Sequence, residues 1–231
     1  MTKNVKKTDQ NKAWNRRTDR TKAYALESRA ANAKRFLIIC EGENTEPYYF
    51  KSFPVATAEV EAFGTGRSKT SLVEQAIEWV SQESPDPERE VWIVFDMDYD
   101  HRKDESMQRN DFNQAIRLAE ANGFRVAYSN DAFELWFVLH YQLLESALTR
   151  VEYYQQIGRH WNLSYERDGK GVQFCRRIYK RLHEDERSSQ ASAIRYAELL
   201  HERHAPKQPA DRNPCTTVYQ LVKELNKYLK Q

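Results

Sequence analysis

The sequence predicts an α/β fold, a parallel sheet flanked by helices and followed by a C-terminal helical extension. Three observations predict it. Short apolar runs rich in β-branched residues alternate with amphipathic helical patterns from residue 35 to about 145. Each helical pattern lies between two strand patterns, which is the order of parallel strands joined by right-handed crossovers. From about residue 149 onward the helical period persists.

The elements follow in order. "RFLIIC" (35 to 40) is a short buried strand followed by Gly42, and "TEPYYFKSF" is a short helix with Pro47 in its first turn, where the missing N–H does no harm. "AEVEAF" (58 to 63) is a second, more polar strand. "SKTSLVEQAIEWVSQ" places Leu72, Val73, Ala76, Ile77 and Val80 on one face, with Ser68 or Thr70 as cap and "SPDP" as terminator. "VWIVFD" (91 to 96) is the strongest strand pattern. "NDFNQAIRLAEANG" (110 to 123) turns Phe112, Ala115, Ile116 and Ala119 inward and stops at Gly123. "FRVAYSN" is a fourth strand, and the apolar "AFELWFVLHYQLL" a helix after it. "RVEYYQQI", "VQFCRRIYKRLHE", "SQASAIRYAELLHERH" and "TTVYQLVKELNKYL" are helical, with "PKQPADRNP" (206 to 214) as a loop before the last. The division is therefore a basic arm (1–34), an α/β core (35–145) and a helical extension (146–231).

Composition narrows the function classes. With 40% apolar residues, 13 Tyr, 10 Phe and 5 Trp, 231 residues can build one packed domain. No stretch has the roughly 18 uncharged apolar residues of a membrane span, and "MTKNVKKTDQNK" lacks a secretory apolar segment, so the reading is a cytoplasmic protein without a membrane partner. Cys40, Cys175 and Cys215 are isolated and odd in number, which points to reduced thiols. The net charge of +2 conceals an asymmetry: residues 1 to 35 carry eleven Lys/Arg against three acids. Such an arm, with Arg16, Arg17, Trp14 and Tyr24, suits phosphate neutralisation and base stacking on a nucleic acid, and equally suits a solvated tail.

Ligands of open parallel sheets bind beyond the carboxyl ends of the strands. Two acid-rich segments fall there: "CEGENTE" after the first strand and "DMDYDH" after the third. If those strands are neighbours, Glu41, Asp96 and Asp98 converge. Alternate residues of extended chain point to one side, so Asp96 and Asp98 can face one cation. Hard oxygen ligands of this kind suit Mg²⁺ or Mn²⁺. Asp100, Glu43 and Glu134 are further candidates, Asp100 lying deeper in the loop and Glu134 at a helix start where backbone N–H groups also stabilise a carboxylate. The competing reading is a set of solvated loop acids.

A strand ending in Glu-Gly and a later strand ending in Asp-x-Asp resemble the Toprim domain of topoisomerases, primases and overcoming-lysogenization-defect nucleases. More narrowly, "EGENTEPYYF" (41 to 50), "FDMDYDH" (95 to 101), "NDAFELWFVLHY" (130 to 141) and "NPCTTVYQLVKEL" (213 to 225) resemble the RloB-like family, linked to bacterial restriction and phage-defence loci. The block around "FELW" is the most specific. Where the family often carries Asn-Pro before it, this chain has Asn130-Asp131. The resemblance implies a Toprim-like core, Glu41 as general acid or base or an added metal ligand, Asp96 and Asp98 as the metal pair, and an ATPase partner of AAA or ABC type. A topoisomerase needs a nucleophilic tyrosine on a further large domain and a primase a zinc module. Neither is visible here, which leaves a metal-dependent nuclease acting on DNA or RNA.

Weaker signals complete the reading. "GTGRSKTS" (64 to 71) has Ser68 where a P-loop needs Gly before the lysine, but it sets Gly66, Ser68 and Lys69 at a helix N-terminus, where a phosphate or a plain cap fits. Lys170 in "RDGKG" and Arg176 and Arg177 in "FCRRIYKR" are candidate phosphate contacts or solvated surface charges. "HERH" (201 to 204) is not the HExxH of zinc peptidases. Two other classes compete: a haloacid-dehalogenase-like phosphatase, whose DxD follows a first strand rather than a third, and a non-catalytic docking subunit that binds nucleic acid within an ATPase complex.

Overall fold

The computed structural model describes residues 33–230. The arm with Arg16, Arg17, Trp14 and Tyr24 lies outside the described residues. The chain runs β1 (Lys34–Cys40), α1 (Thr45–Lys51), β2 (Ala58–Gly64), α2 (Lys69–Ser81), β3 (Arg89–Asp96), α3 (Glu105–Ala121), β4 (Arg125–Asn130) and α4 (Glu134–Leu139). It continues through α5 (Arg150–Trp161), α6 (Tyr165–Asp168), α7 (Val172–Cys175), α8 (Ile178–Glu184), α9 (Gln190–His204), β5 (Cys215–Thr216) and α10 (Val218–Asn226). The sheet order is β2-β1-β3-β4-β5, parallel except for the short antiparallel β5.

The pleat of β1 divides the core. Phe36, Ile38 and Cys40 face α1, α4, α9 and α10, whereas Leu37 and Ile39 face α2 and α3. Both faces being covered explains why β1 and β3 read as continuous apolar runs, and the edge position of β2 explains its alternating Glu59 and Glu61. The result is a three-layer α/β/α arrangement.

Three elements depart from the sequence reading. α3 begins at Glu105, not Asn110, because the Asp104 carboxylate accepts the Met107 N–H at 2.8 Å and caps the helix earlier. Asp111 therefore lies within α3, and its side chain accepts the Thr70 N–H at 3.4 Å. "VQFCRRIYKRLHE" is broken into α7 and α8. Thr216, read as the first residue of the last helix, instead pairs together with Cys215 against Ser129 and Asn130 as β5, held by the Ser129 and Thr216 hydroxyls 3.0 Å apart. The last third of the chain thereby joins the sheet: Val218, Leu221, Val222 and Leu225 of α10 share one buried cluster with Phe36 and Trp92.

Candidate active site

β1 and β3 are adjacent and parallel, with Cys40 opposite Val94. The Glu41 N–H donates to the Val94 carbonyl at 2.8 Å, so the pairing runs one residue beyond β1 and places Glu41 beside the end of β3. There the Glu41 carboxylate accepts the Asp96 N–H at 3.3 Å. Asp96 is buried, and its Oδ2 accepts the Phe133 N–H at 2.9 Å, which ties β3 to the start of α4. Its Oδ1 is buried with no partner among the described residues.

Asp98 does not reach the site by the alternation of an extended strand. Asp98 has φ +45°, a left-handed conformation, and its N–H donates to the Asp131 carbonyl at 3.0 Å. The chain turns at Asp98, and it is this turn rather than an extended strand that brings its carboxylate to the same cavity as Asp96. Two glycines permit the close approach of the surrounding loops. A Cβ on Gly64 would stand 2.0 Å from the Gly42 carbonyl oxygen, and one on Gly42 would stand 2.3 Å from Glu46 Oε2.

The cavity, about 290 Å³, is lined by six carboxylates, Glu41, Glu43, Glu46, Asp96, Asp98 and Glu134, against two cations, Arg150 and Lys170. Three of these carboxylates, held in or at the edge of the protein interior, are shifted. Burial raises Glu41, with Asp98 adding to it against Lys69 and the Asp96 N–H. Burial pushes Glu46 up to about 7, with Glu134 and Glu41 adding to it. Asp96 lies well above the carboxylate range, again through burial first and then Glu46.

The two cations have defined partners. Arg150 lies 2.9 Å from Asp98 Oδ1 and 3.9 Å from Asp96 Oδ2. It is the first residue of α5, fixed by a capping box between Thr149 and Glu152. A cation there opposes the helix dipole, and the two aspartates compensate it. Burial opposes the Arg150 charge, but Asp96 and Asp98 outweigh that and raise its pKa. Lys170 pairs with Glu134, which also accepts the Tyr165 hydroxyl at 3.1 Å, and its ammonium lies 4.8 Å from the Tyr154 ring centroid.

Several sequence-predicted residues therefore take other places. Lys170 is an internal partner of Glu134 rather than a free lysine in a flexible turn, because the Gly169–Gly171 segment folds back against Tyr165 and Tyr154. Glu134 lines the cavity but is engaged by Lys170 and Tyr165, not by helix N–H groups. Asp100 does not line this cavity. It is paired with Arg102 at 2.9 Å, accepts the Arg102 N–H, and sits below the usual carboxylate range for that reason. Arg176 and Arg177 are exposed outside the cavity, with the Arg176 guanidinium 5.1 Å from the Tyr48 ring centroid. His201 of "HERH" has its Nδ1 2.9 Å from the Tyr219 hydroxyl. Lys69 lines a second, larger cavity of about 1130 Å³ that shares Glu41 and Asp98 with the first.

Glu46 and Arg150 were missed as site residues, although both left a trace. Glu46 falls on the α1 stripe with Tyr49 and Phe50, and Arg150 on the α5 stripe with Tyr153, Ile157 and Trp161, all of which are buried. A charged side chain on an apolar helical face signals a buried polar site.

Among the described residues no three or more His, Cys, Asp or Glu side chains stand as a ready metal-binding set. The donors nevertheless fit a hard divalent ion: they are carboxylate oxygens, they exceed their internal counter-charges, and Asp96 Oδ1 has no partner. Fold and site together define an α/β protein with an acidic cleft at the carboxyl ends of two central parallel strands. The chain belongs to the RloB-like protein family, whose model matches residues 36–225. No curated protein and no solved structure matched it. Among the described residues no helix is long and apolar enough to cross a membrane.

Proposed function

We propose that the chain is a Toprim-type, Mg²⁺- or Mn²⁺-dependent nuclease that hydrolyses phosphodiester bonds of DNA or RNA as the effector of a bacterial anti-phage defence system. The observation that carries this reading is the cleft: six carboxylates against two internal cations, with Asp96 Oδ1 unpartnered where β1 and β3 end. Family membership supports the defence setting through the family's link to restriction and phage-defence loci. Asp96 and Asp98 would hold the ion, with Glu46 as a further donor. When bound, such an ion supplies Lewis-acid polarisation of the phosphodiester and stabilises the charge that develops on it.

The chain's own residues supply the rest. Glu41 is fixed by the Asp96 N–H and kept protonated to higher pH than an ordinary glutamate by burial, so it is placed to give or take a proton at a phosphodiester oxygen. Arg150 holds Asp96 and Asp98 together and presents a cation at the cavity wall, where a phosphate oxygen would approach. An ATPase partner of AAA or ABC type belongs to the proposal as the source of regulation.

A second reading, a nucleic-acid docking subunit without turnover, draws on the same ion pairs, since Arg150 and Lys170 already neutralise part of the cleft. The test incubates the purified protein with plasmid, linear DNA, single strands and tRNA, with Mg²⁺, Mn²⁺ or EDTA, beside Glu41→Ala and Asp96→Asn. Metal-dependent cleavage abolished by both variants is expected. Cleavage surviving both variants refutes the site. Phosphate release from a monoester alone indicates a phosphatase, and binding without cleavage, even with an ATPase partner present, indicates the docking subunit.

A further inference from the structure

The larger cavity beside the acidic cleft contains a cation that the proposed chemistry leaves unused. Lys69 opens α2, a helix of 13 residues, and is only 9% exposed, yet its ammonium makes no hydrogen bond or ion pair among the described residues. The ammonium is reachable from the cavity, where an anion can meet it. The charges of Glu41 and Asp131 act on it from beyond ion-pair distance, and the other acids around it are already committed. Asp98 is engaged by Arg150, Asp100 by Arg102 and Lys103, Asp104 by the Met107 N–H, and Asp111 by the Thr70 N–H.

The helix start points the same way. Ser68, the cap residue, makes no side-chain cap hydrogen bond, so the first-turn N–H groups of Lys69 and Ser71 are open to an acceptor. Lys69 itself is held at φ +47°, and Gly66 just before it at φ +67°. The loop is tied to the acidic cleft: the Thr65 N–H donates to the Cys40 carbonyl and the Gly66 N–H to the Glu41 carbonyl, both at 3.1 Å. A positive helix terminus and a lysine without a direct partner thus line one cavity together with Glu41 and Asp98.

We infer that Lys69 and the first turn of α2 form a phosphate subsite, which takes a backbone phosphate of the nucleic acid beside the scissile bond and so sets the register of the strand in the cleft. This rests on the nuclease reading for the identity of the strand, while the phosphate chemistry of the subsite stands on Lys69 and the helix start. A terminal phosphate and an internal phosphodiester share that chemistry.

Two measurements in EDTA test it, with the wild-type protein, Lys69→Met and Lys69→Arg. In thermal unfolding, inorganic phosphate is compared with chloride at equal ionic strength. Phosphate is expected to raise the wild-type and Lys69→Arg midpoints but not that of Lys69→Met, which keeps the aliphatic stem and is expected to fold in chloride. A phosphate effect that is absent from the wild type, or undiminished in Lys69→Met, overturns the subsite. In fluorescence anisotropy, a 12-nucleotide single strand with either a 5′-hydroxyl or a 5′-phosphate is titrated at several salt concentrations. Lys69→Met is expected to bind about tenfold more weakly and to lose about 0.7 from the slope of log K against log salt, the contribution of about one phosphate contact. Loss with both strands identifies an internal phosphodiester, loss only with the 5′-phosphorylated strand a terminal one, and an unchanged slope with both overturns the inference. A Lys69-dependent phosphate effect without any oligonucleotide binding to the wild type retains the subsite and rejects the nucleic-acid reading instead.

Discussion

Replacing Glu46 by Gln should make the metal-free protein more stable, and more so at high pH. Glu46 is 8% exposed, and burial, reinforced by Glu134 and Glu41, lifts its pKa from 4.5 to about 7 against its own backbone N–H and Lys170. A folded-state pKa above the unfolded one means that the folded protein binds the extra proton between those values. The associated stability is present in full below about 4.5 and is lost as the pH rises through about 7. At about 1.4 kcal/mol per pH unit over that interval, ionising Glu46 in the fold costs about 3 kcal/mol at pH 8.5 and about 1 kcal/mol at pH 5. For a chain of this length about 1 kcal/mol moves the midpoint by about 2–4 °C. Glu46→Gln should therefore melt about 6–12 °C above the wild type at pH 8.5 in EDTA, and only about 2–4 °C above it at pH 5. The assay is thermal unfolding followed by circular dichroism at both pH values and constant ionic strength. A pH-independent difference, or a variant less stable than the wild type at pH 8.5, refutes the claim that this carboxylate is buried without adequate counter-charge.

Two further predictions test the frame around the cleft. Lys170→Met leaves the Glu134 carboxylate, in a residue 2% exposed, without its cation and should cost about 3 kcal/mol in urea unfolding; adding Glu134→Gln should recover most of it, and a single variant as stable as the wild type contradicts the pairing. His140 is buried with its Nδ1 2.9 Å from the Trp136 carbonyl, and burial lowers its pKa to about 4, so the unfolded chain binds the extra proton between about 4 and 6.5 and stability is lost as the pH falls through that window. His140→Gln removes this contribution, and the wild type's stability relative to the variant should drop by about 3 kcal/mol from pH 7 to pH 4, whereas parallel curves would place the imidazole charge elsewhere.

The sequence by itself determined the sheet and its acidic end. The short, β-branched apolar runs of β1 and β3 fit strands covered on both faces, and acids that follow such strands gather at the carboxyl edge if the strands are neighbours. Glu41, Asp96 and Asp98 were legible for that reason. What only the tertiary structure decided is which charges meet. The left-handed turn at Asp98 depends on the Asp131 carbonyl 33 residues later, the pairing of Lys170 with Glu134 on how the Gly169–Gly171 segment folds back, and the seat of Arg150 on α5 docking over the cleft. Local periodicity records which face of an element is apolar, and it placed Glu46 and Arg150 on buried stripes. It carries no information about the partner across the gap, because ion pairs and burial are set by packing between segments distant in the chain. The same limit applied to Cys215–Thr216: two residues have no period of their own, and only the open edge of β4 made them a strand.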